Sequence, residues 1–121
     1  MRQTSAVMNT VCHVEIQTLD LDASETFYKG VFNWDFKAFM PTMRVFGVGD
    51  THVGGLMLVD KIEGGRSPSV WLQVKSIEET LARVEAFGGK VVSGMSEVPG
   101  TGWSADFEDP EGNYLGIVQF A

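Results

Sequence analysis

One cysteine, Cys12, stands alone in 121 residues. It cannot close an internal disulfide, so a packed core has to hold the fold, and a lone thiol suits a reducing compartment. Basic residues are scarce: nine Lys and Arg against sixteen Asp and Glu leave a net charge of −7 and a pI near 4.6. That balance repels phosphate backbones and anionic lipid, which argues against nucleic acid and membrane as partners. No apolar run nears the ~20 residues that a membrane-spanning helix needs. The polar start, Met1-Arg2-Gln3-Thr4-Ser5, lacks the apolar stretch of a secretory signal. Also missing are a Walker loop, a dinucleotide fingerprint, a paired-cysteine site and a Ser-His-Asp order. A soluble cytoplasmic domain is expected. What is present is ordinary: 44% apolar and 21% charged residues, in a chain long enough for one domain with a real core.

The pattern along the chain changes period twice in the same way. From Val11 to Thr18 the residues alternate, with Cys12, Val14 and Ile16 on one side and His13, Glu15 and Gln17 on the other. Period two predicts a half-buried strand. Asp22-Ala23-Ser24-Glu25 has capping-box spacing, and Phe27, Tyr28 and Val31 then fall on one helical stripe, predicting a helix near 22–32. Strand-like runs follow at 34–39, 44–49 and 55–59, and the polar, Gly-rich segment 61–68 reads as a linker. Then Val70, Leu72 and Val74 alternate with Trp71 and Gln73. Ser76-Ile77-Glu78-Glu79 is a second capping box, and Ile77, Leu81, Val84 and Phe87 predict a helix near 76–88, stopped by Gly88-Gly89. Three more strands fit 90–93, 103–108 and 114–120, the last two joined through the Asp109-Pro110-Glu111-Gly112 turn.

A shift of about 56 residues lays one half on the other: Val14, Ile16 and Gln17 meet Val70, Leu72 and Gln73. Each half reads β-α-β-β-β, with a first module at about 10–60 and a second at about 69–121. One helix can cover only one face of a sheet, so the other face must meet a ligand, a partner or the other half. A cavity between the two modules is the expected place for function.

Several stretches together resemble the vicinal oxygen chelate superfamily of glyoxalases, bleomycin-resistance proteins and extradiol dioxygenases. They are His13-Val14-Glu15-Ile16, the Asp20-Leu21-Asp22 entry to the helix, Phe27-Tyr28 with Val31-Phe32-Asn33-Trp34, Val53-Gly54-Gly55, the 82–91 stretch, and the closing stretches 99–103 and 107–116. The closing stretches look most like a small bacterial glyoxalase-related branch. The resemblance implies an α+β fold, two βαβββ modules forming a curved, mostly antiparallel sheet with a cavity. It also implies four metal-ligand positions, which map to His13, Met57, Ser69 and Gly116. Only His13 is a good ligand for a divalent ion, since thioether, lone hydroxyl and glycine are not. No cofactor is therefore expected, with a divalent metal as the alternative.

Candidate ligand-binding residues are His13, Glu15, Met57, Ser69, Trp71, Gln73, Trp103 and Gly116, with His13 and Glu15 the candidates for proton transfer. Gly116 is expected to leave room for a flat or bulky guest. Met40, Met43 and Met95 offer further adaptable surface or plain core. His52, beside a Gly-Asp turn, reads as a loop residue, and Cys12 as a small buried hydrophobe. The leading expectation is a metal-free binder of a small organic molecule, as a homodimer. The alternatives are a divalent-metal lyase, isomerase or dioxygenase, and a structural or regulatory dimer module.

Overall fold

The computed structural model describes residues 7–121; the polar start lies outside them. The chain clusters into two compact units, Cys12–Pro68 and Ser69–Ala121, the second also taking in residues 7–11. Among the described residues no helix is long and apolar enough to cross a membrane.

The first unit runs β1 (Thr10–Thr18), α1 (Leu21–Phe32), β2 (Asp35–Met40), β3 (Met43–Val48) and β4 (Thr51–Leu58). Its strand order is β2-β3-β4-β1, antiparallel except for the parallel β1–β4 pair, where Glu15 faces Gly55. The second unit repeats this with β5 (Ser69–Gln73), α2 (Ile77–Ala86), β6 (Lys90–Val98), β7 (Gly102–Glu108) and β8 (Tyr114–Phe120). Its order is β5-β8-β7-β6, with β5–β8 the parallel pair and Trp71 facing Gly116. The predicted order of elements is the observed one, a glyoxalase-like α+β fold. Two strands are longer than the sequence suggests: β4 begins at Thr51, not Gly55, and β6 runs on to Val98.

Caps set both helix starts. Ser76 accepts from Glu79 N at 3.2 Å, as its spacing predicts. In α1 the cap is Asp20, not the expected Asp22: its Oδ1 accepts from Ala23 N at 3.0 Å, while Asp22 is free to meet Arg44 at 2.7 Å. Asp20 and Ser76 are 56 residues apart, so the caps keep the internal repeat better than the capping-box motifs do. α1 ends at Phe32, where the predicted helix ends, and Asn33 takes the left-handed conformation (φ 58°) with its N–H meeting Lys29 O. Gly88, at φ 94°, supplies the expected left-handed stop after α2.

The predicted α1 stripe is only partly right. Phe27 and Val31 are exposed, and it is Tyr28 that carries the helix toward the sheet. Tyr28 stacks on Trp34 at 5.1 Å and 9°, and Trp34 on Phe46 at 4.6 Å and 3°. This aromatic ladder joins helix to sheet over a core of Cys12, Phe46 and Leu56. In the second unit Val74, Ile77, Ala105 and Ile117 form the core, with Leu72, Leu81, Trp103 and Phe107 packed against them. Phe87, predicted on the buried stripe of α2, is exposed. Segment 61–68 is tied down: Gln17 Oε1 accepts from Glu63 N and Gln17 N donates to Ser67 Oγ, both at 2.9 Å.

Candidate functional site

Strand pairing decides which side chains share a face. In the first unit Cys12, Phe46 and Leu56 lie on the α1 side, so His13, Glu15 and Gln17 project from the opposite, helix-free face. Met43, Gly55 and Met57 share it, since Met43 pairs with Met57 and Glu15 with Gly55. A Cβ added to Gly55 would lie 3.3 Å from His13 Cε1 and 3.4 Å from Met43 Sδ, so the imidazole and the thioether meet over this glycine.

The sequence reading of His52 is overturned here. His52 is a β4 residue, 6% exposed, and its Nε2 lies 2.8 Å from His13 Nδ1 with the rings stacked at 5.0 Å. Strict alternation from Gly54 and Leu56 would send His52 to the α1 side. A bulge prevents this: Phe46 pairs with Gly54, but the next residue, Gly47, pairs with His52. The extra residue turns His52 onto the face of His13. Gly47 is what permits the bulge, because a Cβ there would stand 1.9 Å from Thr51 O. Nothing in the alternation pattern reveals such an insertion; Gly47 ahead of the Gly49-Asp50 turn is the only local hint.

Burial pushes the His13 imidazolium down to a pKa of about 4, helped by repulsion from His52, and burial lowers His52 too. Both rings are therefore neutral near pH 7. One N–H is shared between them, which leaves one donor and one acceptor on the two outer nitrogens. Moving both protons along the pair exchanges those roles. The arrangement can present either a hydrogen-bond donor or an acceptor, or relay a proton, without a net charge.

The helix-free face of the second unit carries Ser69, Trp71 and Gln73 from β5, Gly116 from β8 and Asp106 from β7. Gly116 does not leave the expected room. A Cβ on it would fall 2.1 Å from Trp71 Cε3, so the indole already lies flat across it. The indole Nε1–H donates to Ser69 Oγ at 3.0 Å, which fixes the ring and satisfies the buried hydroxyl. Trp103, grouped with Trp71 on sequence, lies on the opposite face: it pairs with Gln119, whose Oε1 accepts from Ile77 N of α2, and it packs on the core. Asp106 and Tyr114, which sequence reasoning missed, are joined by a hydrogen bond from the Tyr114 hydroxyl to Asp106 Oδ2. Their juxtaposition follows from the β7–β8 hairpin, where Asp109 accepts from Glu111 N and Asn113 N at 2.9 Å and pins the register. The Asn113 side-chain amide, donating to Asp109 Oδ2 at 2.9 Å, does most to hold the Asp109 carboxyl below the usual range, and the backbone N–H groups of Asn113 and Glu111 add to it.

The internal repeat also tests the metal positions. His13 and Ser69 are 56 apart and equivalent, and so are Glu15 and Trp71. Their facing residues, Gly55 and Gly116, are then counterparts, and Met57 corresponds to Val118. Whichever pair is taken, neither a carboxylate nor an imidazole stands there. Among the described residues no group of three or more His, Cys, Asp or Glu could hold a metal ion. The donor set does not fit the divalent ion that the resemblance implies. A polar depression of about 270 Å³ beside α2, lined by Lys75, Ser76, Glu79 and Arg83 among others, contains none of the candidate ligand-binding residues named from sequence.

The profile of the Glyoxalase/Bleomycin resistance protein/Dioxygenase superfamily matches residues 10–117, and the chain belongs to that family. Among curated proteins none matches the sequence. Solved structures share the fold at low identity. A superfamily member from Vibrio splendidus 12B01 aligns with a TM-score of 0.65 at 18% identity, over 91% of this chain and 99% of the other. The methylmalonyl-CoA epimerase of Streptomyces coelicolor gives 0.70 at 13%, over 95% and 99%. The Mn(II)-bound glyoxalase of Novosphingobium aromaticivorans gives 0.69 at 24%, over 93% of this chain but only 39% of that one.

Proposed function

We propose that the chain is a metal-independent member of its superfamily that binds a small, largely apolar organic molecule, with His13 reading a hydroxyl or carbonyl of the guest. One observation carries this. Among the described residues His13, at the family's first ligand position, belongs to no group of three or more His, Cys, Asp or Glu that could hold a metal ion, and its Nδ1 is engaged by His52 at 2.8 Å, which leaves Nε2 for a guest. The other mapped positions hold Met57, Ser69 and Gly116, and none of these replaces the missing donors. Met43 and Met57 offer the adaptable apolar surface beside it, and Glu15 stands on the same face. Ser69, Trp71 and Gln73 extend the proposal to the helix-free face of the second unit. A homodimer in the cytoplasm is the proposed setting: exposed apolar side chains such as Phe27, Val31 and Phe32 favour association, and the net charge of −7 disfavours membrane and nucleic acid.

The test is elemental analysis of protein purified without chelator, joined to thermal shift with added zinc, nickel and manganese. Metal content should be far below stoichiometric and the midpoint unmoved. Near-stoichiometric metal, or a marked metal-induced rise, would overturn the proposal. Guest binding is read by ligand-observed NMR with a panel of phenols and aryl ketones. His13→Ala should weaken any binder by about tenfold, the worth of one buried hydrogen bond.

A further inference from the structure

Two buried acceptors in the second unit have no hydrogen-bond partner: Asp106 Oδ1 and Gln73 Oε1. Buried polar atoms are almost always satisfied, so such orphans mark a place where a donor belongs. Both residues lie on the helix-free face. Asp106 pairs with Gly116, and Gly116 with Trp71, so only a glycine separates the carboxylate strand from the indole strand. The Trp71 ring lies across that glycine, the residue that Asp106 pairs with from the other side. Tyr114 holds Asp106 Oδ2, which orients the carboxylate and leaves Oδ1 as the unpaired oxygen. Ser69 holds the indole nitrogen and Gly116 covers one face of the ring, so the other face, not the N–H, is what the ring can offer a guest.

We propose that this face is a binding site for an organic ammonium ion with an aromatic body. The ammonium donates to Asp106 Oδ1, a second donor on the guest meets Gln73 Oε1, and the body packs on Trp71. A fixed carboxylate beside an indole face is the pairing that selects a cation with an apolar flank, through a charge-assisted hydrogen bond and cation–π attraction. The net charge of −7 favours approach of such a guest. In the first unit the equivalent of Asp106 is Val45, so this site has no counterpart there. The inference deepens the binding reading above and rests on it.

The experiment uses 2-phenylethylammonium, 2-phenylethanol and 3-phenylpropionate as probes on the full chain. The readouts are the NMR shifts of the Trp71 indole N–H and the Gly116 amide. The ammonium should shift both saturably, and the alcohol and the anion should bind about tenfold more weakly or worse. Asp106→Asn and Trp71→Leu should each weaken the ammonium about tenfold. The comparison of probes uses the unaltered protein, so it stands even where a variant fails to fold. Equal binding of alcohol and ammonium would overturn the cation site while leaving a bound guest. No saturable shift with the ammonium at millimolar concentration, or full binding by Asp106→Asn, would overturn it as well. Stoichiometric metal would instead overturn the metal-independent reading alone.

Discussion

The two units share a backbone plan and differ in what they mount on it. Their caps lie 56 residues apart and their parallel pairs align in the same register, Glu15 on Gly55 and Trp71 on Gly116. On that common frame the first unit places two neutral imidazoles and two thioethers. The second places an indole, a carboxylate and a phenol. Register is set by turns, caps and the buried face, whereas the helix-free face is nearly unconstrained by folding and can diverge. The difference teaches that the repeat preserves positions, and that chemistry has to be read separately for each half.

The two facing glycines give the largest contrast. Gly116 lies beneath the Trp71 ring, with an added Cβ at 2.1 Å; Gly55 lies beneath His13, with a Cβ at 3.3 Å from the nearest ring atom. Gly116→Ala should destabilise by about 3 kcal/mol, the upper range for overpacking, because the indole is held through its nitrogen and cannot swing aside without losing Ser69. Gly55→Ala asks for a shift of a few tenths of an ångström and should cost about 1 kcal/mol or less. Denaturant unfolding of the two variants checks this. Equal losses would mean that the glycines do not play the parts their geometry assigns.

Much of the fold is legible in the sequence because it rests on local rules. The change from period two to period 3.6, the Ser76 cap, the Gly88 stop and the Asp109 turn are each a matter of a few neighbouring residues. The candidate site is legible only where alternation persists: His13, Glu15, Trp71 and Gln73 share the faces they were expected to share with Met57, Ser69 and Gly116. His52 is not legible in this way, because a bulge is an exception to alternation, decided by how two strands meet across Gly47. Trp103 belongs to the core because its register with Gln119 sets its face, and aromatic character alone does not reveal that register. Asp106 and Tyr114 come together diagonally across a hairpin, which only the pairing reveals.

The next contrast is in pH dependence, and it belongs to the first unit. An unfolded histidine takes up a proton as pH falls through 6.5, but folded His13 resists until about 4. The unfolded state thus binds more protons in this window. The stabilisation is fully present above 6.5 and is lost as pH falls toward 4, by about 2 to 3 kcal/mol. Thermal midpoints measured from pH 7.5 to 4 should drop accordingly. His52→Gln should raise the His13 pKa, since it removes the neighbouring ring's repulsion. It should not restore 6.5, because burial is the larger cause. A His13 titration by NMR that stays near 6.5 in the parent protein would contradict the paired, buried geometry.

The smallest contrast tests the repeat itself. Asp20 and Ser76 occupy equivalent positions and perform the same task, each accepting a backbone N–H three residues ahead. Asp20→Ala and Ser76→Ala should therefore cost similar amounts, about 1 kcal/mol each, as caps usually do. Asp22 supplies the control. It begins the motif that looks like a capping box, yet its carboxylate faces solvent and meets Arg44 at 2.7 Å in an exposed ion pair. Exposed pairs contribute about 0 to 1 kcal/mol and fade with salt, so Asp22→Ala should cost less than Asp20→Ala. The difference between the two should widen in high salt, because the cap bond is short-range and the ion pair is screened. Urea unfolding of the three variants at low and high ionic strength decides the matter. A larger loss from Asp22→Ala would mean that the first helix is capped as its sequence motif suggests and that the two units do not start their helices at equivalent residues.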